Sequence, residues 1–512
     1  MRRLRIALAG SMAVLAAVVF GALPGGAGTG ANLTPDTPTW WQKLQVVSAP
    51  GFKPAKAGGT SVTVGSNVDM SNEEGPQSET SIAIDPSSPS QLVGGSNEIF
   101  RLPMRGYFSS DGGASWGGVD LPLPPPIAQN GFDFGSDPGV AWDAKGNVFY
   151  SYIVVFFSTG GSINGTEMAV ARSSDGGRTW TPTYFNQNGP GKFNDKPMIA
   201  VDTRNNNVYV AWDDTAIGIG GVPSSSGILF SRSTDGGVTF STPQVISDTH
   251  GGPRFGIGAD PFVGPDGTVF VAWHDISNKI LVTSSSDGGQ TFGAIHTVAP
   301  TRIPFDAAIP PQNTRGALVY PSCGADRSDG AFRGRLYCTW MDDNGSGDTD
   351  VFASESADGG ATWSAPQRVN DDKGGSFQFN QWLAVDPTTG AVDVSWNDSR
   401  NDATNASTDV FYSRSTDGGA TFSKNVQVTS APTNETCCGA DLGNQYGDYE
   451  GIDALNGVVH PIWTDRRASV AALDEEAFTA AIHDQVTRKP EPAGVRAGRL
   501  LRKAPTTVED LR

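Results

Sequence analysis

Ser109-Ser-Asp-Gly-Gly-Ala-Ser-Trp116 is the first of six near-copies of one eight-residue phrase. The others are SSDGGRTW from Ser173, STDGGVTF from Ser233, SSDGGQTF from Ser285, SADGGATW from Ser356 and STDGGATF from Ser415. Their aspartates, Asp111, Asp175, Asp235, Asp287, Asp358 and Asp417, recur every 52 to 71 residues, the length of one four-stranded sheet with its loops. Each phrase reads as a hairpin turn. An Asp carboxylate accepts N–H groups two residues on, Gly-Gly takes positive φ without a steric cost, and Thr followed by Trp or Phe starts a strand pinned by its aromatic ring.

Between these turns a second phrase recurs, two apolar strands around a short turn, the second ending in Trp-x-Asp. Examples are DKPMIAVDTRNNNVYVAWDD from Asp195 and NQWLAVDPTTGAVDVSWND from Asn380. Alternating apolar residues between Asp, Asn and Gly turns mark antiparallel pairs. Seven pairs begin near Glu79, Asp137, Asp195, Asp260, Ala317, Gln381 and Asp448. The repeat unit is therefore a pair, a third strand, a box and a fourth strand. This predicts an all-β chain folded as a single β-propeller of four-stranded antiparallel blades, with seven blades preferred and six the alternative. The seventh pair is followed by a third-strand segment, Ala477–His483, but by no box. The missing outer strand is expected from the other end of the chain, at Thr60–Gly65.

The pattern S-x-D-x-G-x-T-[WF] resembles the Asp-box, or BNR repeat, of the sialidase superfamily, and the likeness extends from about Glu79 to Arg467. It implies a propeller with the boxes on the blade periphery, where their aspartates are structural. It also implies a site built from a tyrosine nucleophile paired with a glutamate, an aspartic acid as general acid, and three arginines clamping a substrate carboxylate. The family's Tyr/Phe-Arg-Ile-Pro motif normally opens the first blade. Here Phe100-Arg101-Leu102-Pro103 stands just before Ser109, and Thr301-Arg302-Ile303-Pro304 precedes the fifth blade. Neither stands where the family pattern puts it.

The chain has 512 residues, 54 acidic against 36 basic, and a formal net charge of −18. Loss of a leader carrying Arg2, Arg3 and Arg5 makes it more acidic still, a surface that repels nucleic acid and anionic membranes. Residues 1–31 read as a signal peptide: a basic start, an uncharged apolar run from Ile6 to Leu23, then small residues. The chain is thus expected to be secreted and extracellular, with no membrane span after signal removal. An uncleaved anchor is the other reading of the same run. Residues 32–59 form a Pro/Gly-rich leader, 60–484 the propeller, and 485–512 a basic tail expected to be disordered. Nothing in the sequence signals oligomerisation, so a monomer is expected. Cys323 and Cys338 fall on neighbouring strands, and an exported chain permits a bridge between them. The adjacent Cys437 and Cys438 form either a vicinal disulfide or free thiols. Five histidines, none in an HExxH pattern, make zinc chemistry improbable.

In a propeller the start of each first strand and the end of each second strand meet at one mouth of the axial channel, and the box turns lie on the opposite face. Glu79, Asp137, Asp195, Asp260 and Asp448 open first strands; Asp213, Asp275, Asp342, Asp398 and Asp465 close second strands. A ring of carboxylates splits its own proton affinities, and one protonated and one ionised carboxyl is what glycoside hydrolysis requires. The same residue types also cap turns or hold Ca²⁺, an ion suited to oxygen ligands. No cofactor is otherwise implied, and no metal ligands can be assigned.

The loop Cys437–Glu450 brings Tyr446, Asp448, Tyr449 and Glu450 towards the same mouth. The candidate catalytic residues are Glu450, Tyr446, Asp448 and Asp137. The candidate substrate-binding residues are Arg254, Arg315, Arg466, Asp195 and Asp260, with Arg400 as a further arginine of that region. The expected function is a sialidase-like exo-glycosidase acting on terminal sugars of a glycan or polysaccharide. The alternatives are a non-catalytic glycan- or protein-binding propeller, or a polysaccharide lyase or arabinan-type hydrolase on the same fold.

Overall fold

The computed structural model describes residues 67–128, 132–217, 223–247, 256–275, 277–467 and 475–483. The signal peptide, the leader, the basic tail, Arg254 and the expected closing strand Thr60–Gly65 lie outside them.

Seven antiparallel sheets follow one another around a ring. Blade 1 is Gln77–Ile84, Leu92–Glu98, Arg105–Ser109 and Gly117–Asp120, running from the axis outward. Blades 2, 3 and 4 open with Phe134–Trp142, Lys192–Asp202 and Gly256–Val263; blades 5 and 6 open with Ser322–Ala325 and Gln378–Val385, each sheet again in chain order. Blade 7 has the strands Gly451–Leu455, Val458–Asp465 and Glu476–Thr479, and its outer strand is Val68–Asp69 from the other end of the chain. Val68 faces Thr479 in that pairing. The ring is thus closed by an N-terminal strand, at 68–69.

One start point differs from the sequence reading. Ala317 belongs to a separate hairpin, Asp306–Ile309 with Gln312–Leu318, inserted ahead of blade 5, whose first strand begins at Ser322. The insertion has the same alternating apolar pattern as a blade strand, which is why periodicity alone misplaces it.

The six boxes hold blades together. In the second, Asp175 Oδ1 accepts the N–H groups of Arg178 (3.0 Å) and Thr179 (2.9 Å), and Oδ2 accepts the Thr179 hydroxyl (2.6 Å). The acceptor reach is three and four residues, longer than the two expected. The second glycine of each box has positive φ and a neighbour in the preceding blade. A Cβ on Gly177 would stand 2.8 Å from Val93, and one on Gly113 3.0 Å from His460 of blade 7. The first box therefore seals the ring onto the blade that lacks a box. These hydrogen bonds hold the Asp175 and Asp235 carboxyls down at about 2.

Between sheets, the tryptophans of the Trp-x-Asp phrase fill the core. Trp212, Trp273, Trp340, Trp396 and Trp463 are all essentially inaccessible, and burial of side chains this large dominates core energetics. In blades 6 and 7 the phrase extends to an arginine. Trp396 and Arg400 both donate to Asp398, and Trp463 and Arg467 both donate to Asp465. Arg400 also stacks over Phe411 at 4.2 Å. Cys323 and Cys338, paired across the first two strands of blade 5, are bridged, as are Cys437 and Cys438. Among the described residues no helix is long and apolar enough to cross a membrane.

Candidate functional site at the axial mouth

Five first strands carry the same irregularity near their start. Register slips between Ser78 and Ser81, Ser136 and Gly139, Asp195 and Met198, Ile257 and Asp260, and Phe379 and Trp382. Each slip holds a residue in the left-handed region: Glu79 (φ 53°), Asp137 (62°), Lys196 (50°), Gly258 (72°) and Asn380 (48°). A bulge re-aims the side chain it carries, and a non-glycine residue at positive φ costs of order 1–3 kcal/mol. Four blades bear that cost with a polar side chain; those of Glu79, Asp137 and Lys196 meet in one cluster, while Asn380 donates to the Gly447 carbonyl at 3.4 Å.

Asp448, just after Gly447 (φ 79°), lies between two cations. Lys196 Nζ pairs with Oδ2, and Arg315 Nε donates to Oδ1 at 2.8 Å. Arg315 comes from the inserted hairpin and reaches Glu79 at 3.3 Å. Its backbone N–H and that of Thr314 both donate to Gln445 Oε1 (2.9 and 3.0 Å), which fixes the hairpin over the axis. Asn97 donates to Glu79 (2.5 Å) and to Asp137 (3.3 Å). Glu79, Asp137, Lys196, Arg315 and Asp448 are each 5% exposed or less. Asp195 differs: its side chain is 16% exposed and lies 3.9 Å from Lys196.

Burial without balance would be prohibitive, and the proton affinities show how balance is reached. Burial opposes ionisation of Asp448, but Arg315 and Lys196 outweigh it and hold the carboxyl far below its usual range. At Asp137 burial is likewise outweighed, by Lys196 and by hydrogen bonds from Asp195, Glu79 and Ser136. Burial drives Glu79 well up, helped by Asp448 and Asp137. It drives Asp195 up too, against Lys196 and with Asp137 adding to it. Within the cluster Asp448 and Asp137 are therefore the carboxyls that give up their protons most readily, and Glu79 and Asp195 those that hold them more tightly. Asp195, the acid beside Asp137, is the one whose side chain is partly exposed, although its Oδ1 is buried.

The remaining candidates take other places. Asp260 aligns with Gly139 and Met198 rather than with Asp137, because the bulge precedes it; its Oδ2 accepts the Cys323 N–H at 2.5 Å, and burial lifts it to about 8. Asp213 caps the Gly258 N–H at 3.0 Å and is raised by burial to about 7. Glu450 is buried, accepts the Thr464 N–H at 3.3 Å and is lifted to about 8 by burial.

The Tyr446 hydroxyl accepts from Thr408 at 3.0 Å, and its ring meets Phe379 edge-on. Tyr449 donates to the Pro138 carbonyl at 3.2 Å and packs on Tyr320 and Trp382. Burial pushes both phenols well above their usual range, the opposite of what an activated tyrosine nucleophile needs.

The arginines are largely committed. Arg466 donates to the carbonyls of Asn434, Cys437 and Cys438, each at 3.0 Å, and so braces the bridged-cysteine loop. Arg101 lies buried between Glu73 and Asp120. Arg302 is exposed, and its backbone N–H caps Asp342 at 2.9 Å. For Ca²⁺, the axial carboxylates already face Lys196 and Arg315, so their donor set is neutralised by cations instead of forming an oxygen cage. Among the described residues no group of three His, Cys, Asp or Glu converges to hold a metal ion.

Lys196 was absent from the candidates. The signal was present in the sequence: Asp137-Pro and Lys196-Pro occupy equivalent places in blades 2 and 3. A second buried acidic group also escaped the sequence reading. Glu435 and Glu475 lie against Arg466 at 4.0 and 3.6 Å, and burial together with mutual repulsion raises Glu435.

No family model and no curated protein matches the chain. Among solved structures it is similar to a protein of unknown function from Dyadobacter fermentans (13% identity, 70% of this chain and 97% of that one, TM-score 0.45). It is also similar to the NanB sialidase of Streptococcus pneumoniae (10%, 84% and 99%, 0.44). A third is an α-L-arabinofuranosidase of Fusarium graminearum solved with arabinobiose (11%, 82% and 98%, 0.46). At these identities and scores the likeness concerns propeller architecture alone.

Proposed function

We propose that this propeller is a secreted glycoside hydrolase working at the axial mouth, with Asp195 as the general acid. The observation that carries the reading is the placement of Asp195, with its side chain 16% exposed and its proton affinity raised by burial, beside the buried Asp137, whose proton affinity is lowered. Two carboxyls pushed apart in proton affinity are the mark of an acid and its partner. The substrate would be a neutral terminal sugar of a glycan rather than a sialoside. Among the described residues, Arg101, Arg315, Arg400 and Arg466 are spent on internal partners, which leaves no three-arginine clamp. Export rests on the basic, apolar and small-residue order of residues 1–31.

The test is a panel of fluorogenic terminal glycosides, sialosides included, assayed with the wild type and with Asp195→Asn. Turnover of a neutral glycoside that is lost in a folded Asp195→Asn protein supports the reading. Full activity in that variant removes Asp195 as the acid.

A second reading, a non-catalytic binding propeller, is favoured by the near-complete burial of Glu79, Asp137, Lys196, Arg315 and Asp448. Saturable glycan binding without release of sugar by the wild type would select it.

A further inference from the structure

The plugged mouth is one end of the axis; the other carries a feature that the proposed chemistry does not use. Below the axial cluster the seven first strands enclose a cavity of about 260 Å³. It runs from Tyr449 and Trp382 to the turns that follow the first strands, at Pro86, Thr203, Arg327 and Pro387. These turns share a face with the boxes: Arg335, on the same blade 5 turn as Arg327, donates to the carbonyl of Gly418 in the sixth box at 2.7 Å.

The lining mixes polar surface, including Asp260, Glu450 and Asp453, with apolar side chains, of which Ala141, Ile199 and Val385 are partly open to the space. Arg327 is its arginine. The guanidinium is partly buried, and among the described residues no carboxylate oxygen lies within the 4 Å of an ion pair from it. The nearby carboxylates are already engaged. Asp453 accepts the N–H groups of Ile84 (2.7 Å) and Ala454 (2.8 Å), and Asp202 pairs with Arg204 at 3.4 Å. Both still repel a second negative charge. Burial lowers the proton affinity of Arg327 against the pull of Asp453 and Asp202, as expected of a desolvated cation without a close counter-ion.

From this geometry we propose that the axial channel binds a small organic monocarboxylate, with Arg327 holding its carboxylate and the first strands, Ala141, Ile199 and Val385 among them, enclosing its body. The argument for the class is threefold. A guanidinium presents a planar fork that fits a carboxylate. The space, about 260 Å³, lies just below the usual range of small-molecule sites, so the acid is small. The nearby Asp453 and Asp202 repel a dianion such as phosphate more strongly than a monoanion. The site lies at the opposite end of the axis from Asp195 and stands whether or not the protein cleaves glycosides.

The experiment is calorimetric titration of the full chain with butyrate, with neutral butyramide and inorganic phosphate as comparators. The proposal expects one butyrate site, butyramide weaker by about tenfold or more, and no phosphate binding at that site. Arg327→Gln should weaken butyrate by about tenfold or more with an unchanged unfolding midpoint. Ala141→Phe, which fills the channel and leaves Arg327 in place, should abolish binding. Absence of butyrate binding by the wild type, phosphate binding as tight as butyrate, or undiminished binding in either folded variant overturns it. The three-ligand comparison on the wild type decides the matter even if a variant fails to fold.

Discussion

Asp448→Asn is the sharpest perturbation of the axial cluster, because it keeps the shape of the side chain and removes one charge. In the wild type Asp448 is 3% exposed, takes an Arg315 Nε–H at 2.8 Å and pairs with Lys196. With it neutral, two buried cations face a single carboxylate, Asp137. Removing one partner of a buried pair costs about 3–5 kcal/mol. Glu79, 3.3 Å from Arg315 and raised by burial and by the Asp448 charge, then becomes the group best placed to ionise and restore neutrality. That relief puts the expected loss at the lower end, about 3 kcal/mol. Urea unfolding at pH 7 measures it. Because the folded carboxyl of Asp448 is depressed, its contribution is fully present at that pH and disappears only as pH falls through the folded value. Carbon NMR of the Glu79 carboxyl should show it ionising at lower pH in the variant. A loss under about 1 kcal/mol, the scale of an exposed pair, with Glu79 unmoved, would refute the charge balance described here.

Three further outcomes follow from the same structure. Stability should fall as pH rises from 7 to 8. Asp260 and Glu450 stay protonated when folded, up to about 8, and ionise when unfolded, so the native state holds more protons. His274 and His460, lowered by burial to about 4, oppose this trend only below their unfolded value of about 6.5. Urea midpoints that rise or stay level across that window would contradict the assignment. Asp175→Ala removes a turn clamp with exposed acceptors and should cost about 1 kcal/mol with no effect on any activity; a loss as large as that of Asp448→Asn would mean the box does more than hold its turn. Replacing both Cys323 and Cys338 by Ser opens a loop of 15 residues and should cost about 3 kcal/mol, measured by unfolding of oxidised wild type against the double variant.

The parts of the fold that were legible in the sequence are those written in repeated local chemistry. Ser, Asp and Gly-Gly at fixed offsets force the same turn six times, and the Trp-x-Asp phrase marks each second strand, so the blade count and the side of the ring each loop occupies follow. What could not be read depends on contacts far apart in the chain. The hairpin 306–318 has the alternation of a blade strand, and only its docking through Gln445 shows that it covers the axis. Asp137 and Lys196 precede prolines, a context that favours extended backbone, yet the bulges turn both left-handed and inward. Aligning blades on those prolines also puts Asp260 in the wrong register. The arginines around the mouth were visible as residues, but their internal partners, such as the carbonyls held by Arg466, were not.

The most direct test of the proposed chemistry compares two substrates of the same sugar, one with a poor alkyl leaving group and one with an activated dinitrophenyl group. If Asp195 gives its proton to the leaving oxygen, Asp195→Asn should lower kcat/KM for the alkyl glycoside by about 10²–10⁴-fold and largely spare the dinitrophenyl one, which needs no acid. Equal losses on both substrates, or a folded wild type that turns over neither, would contradict the account.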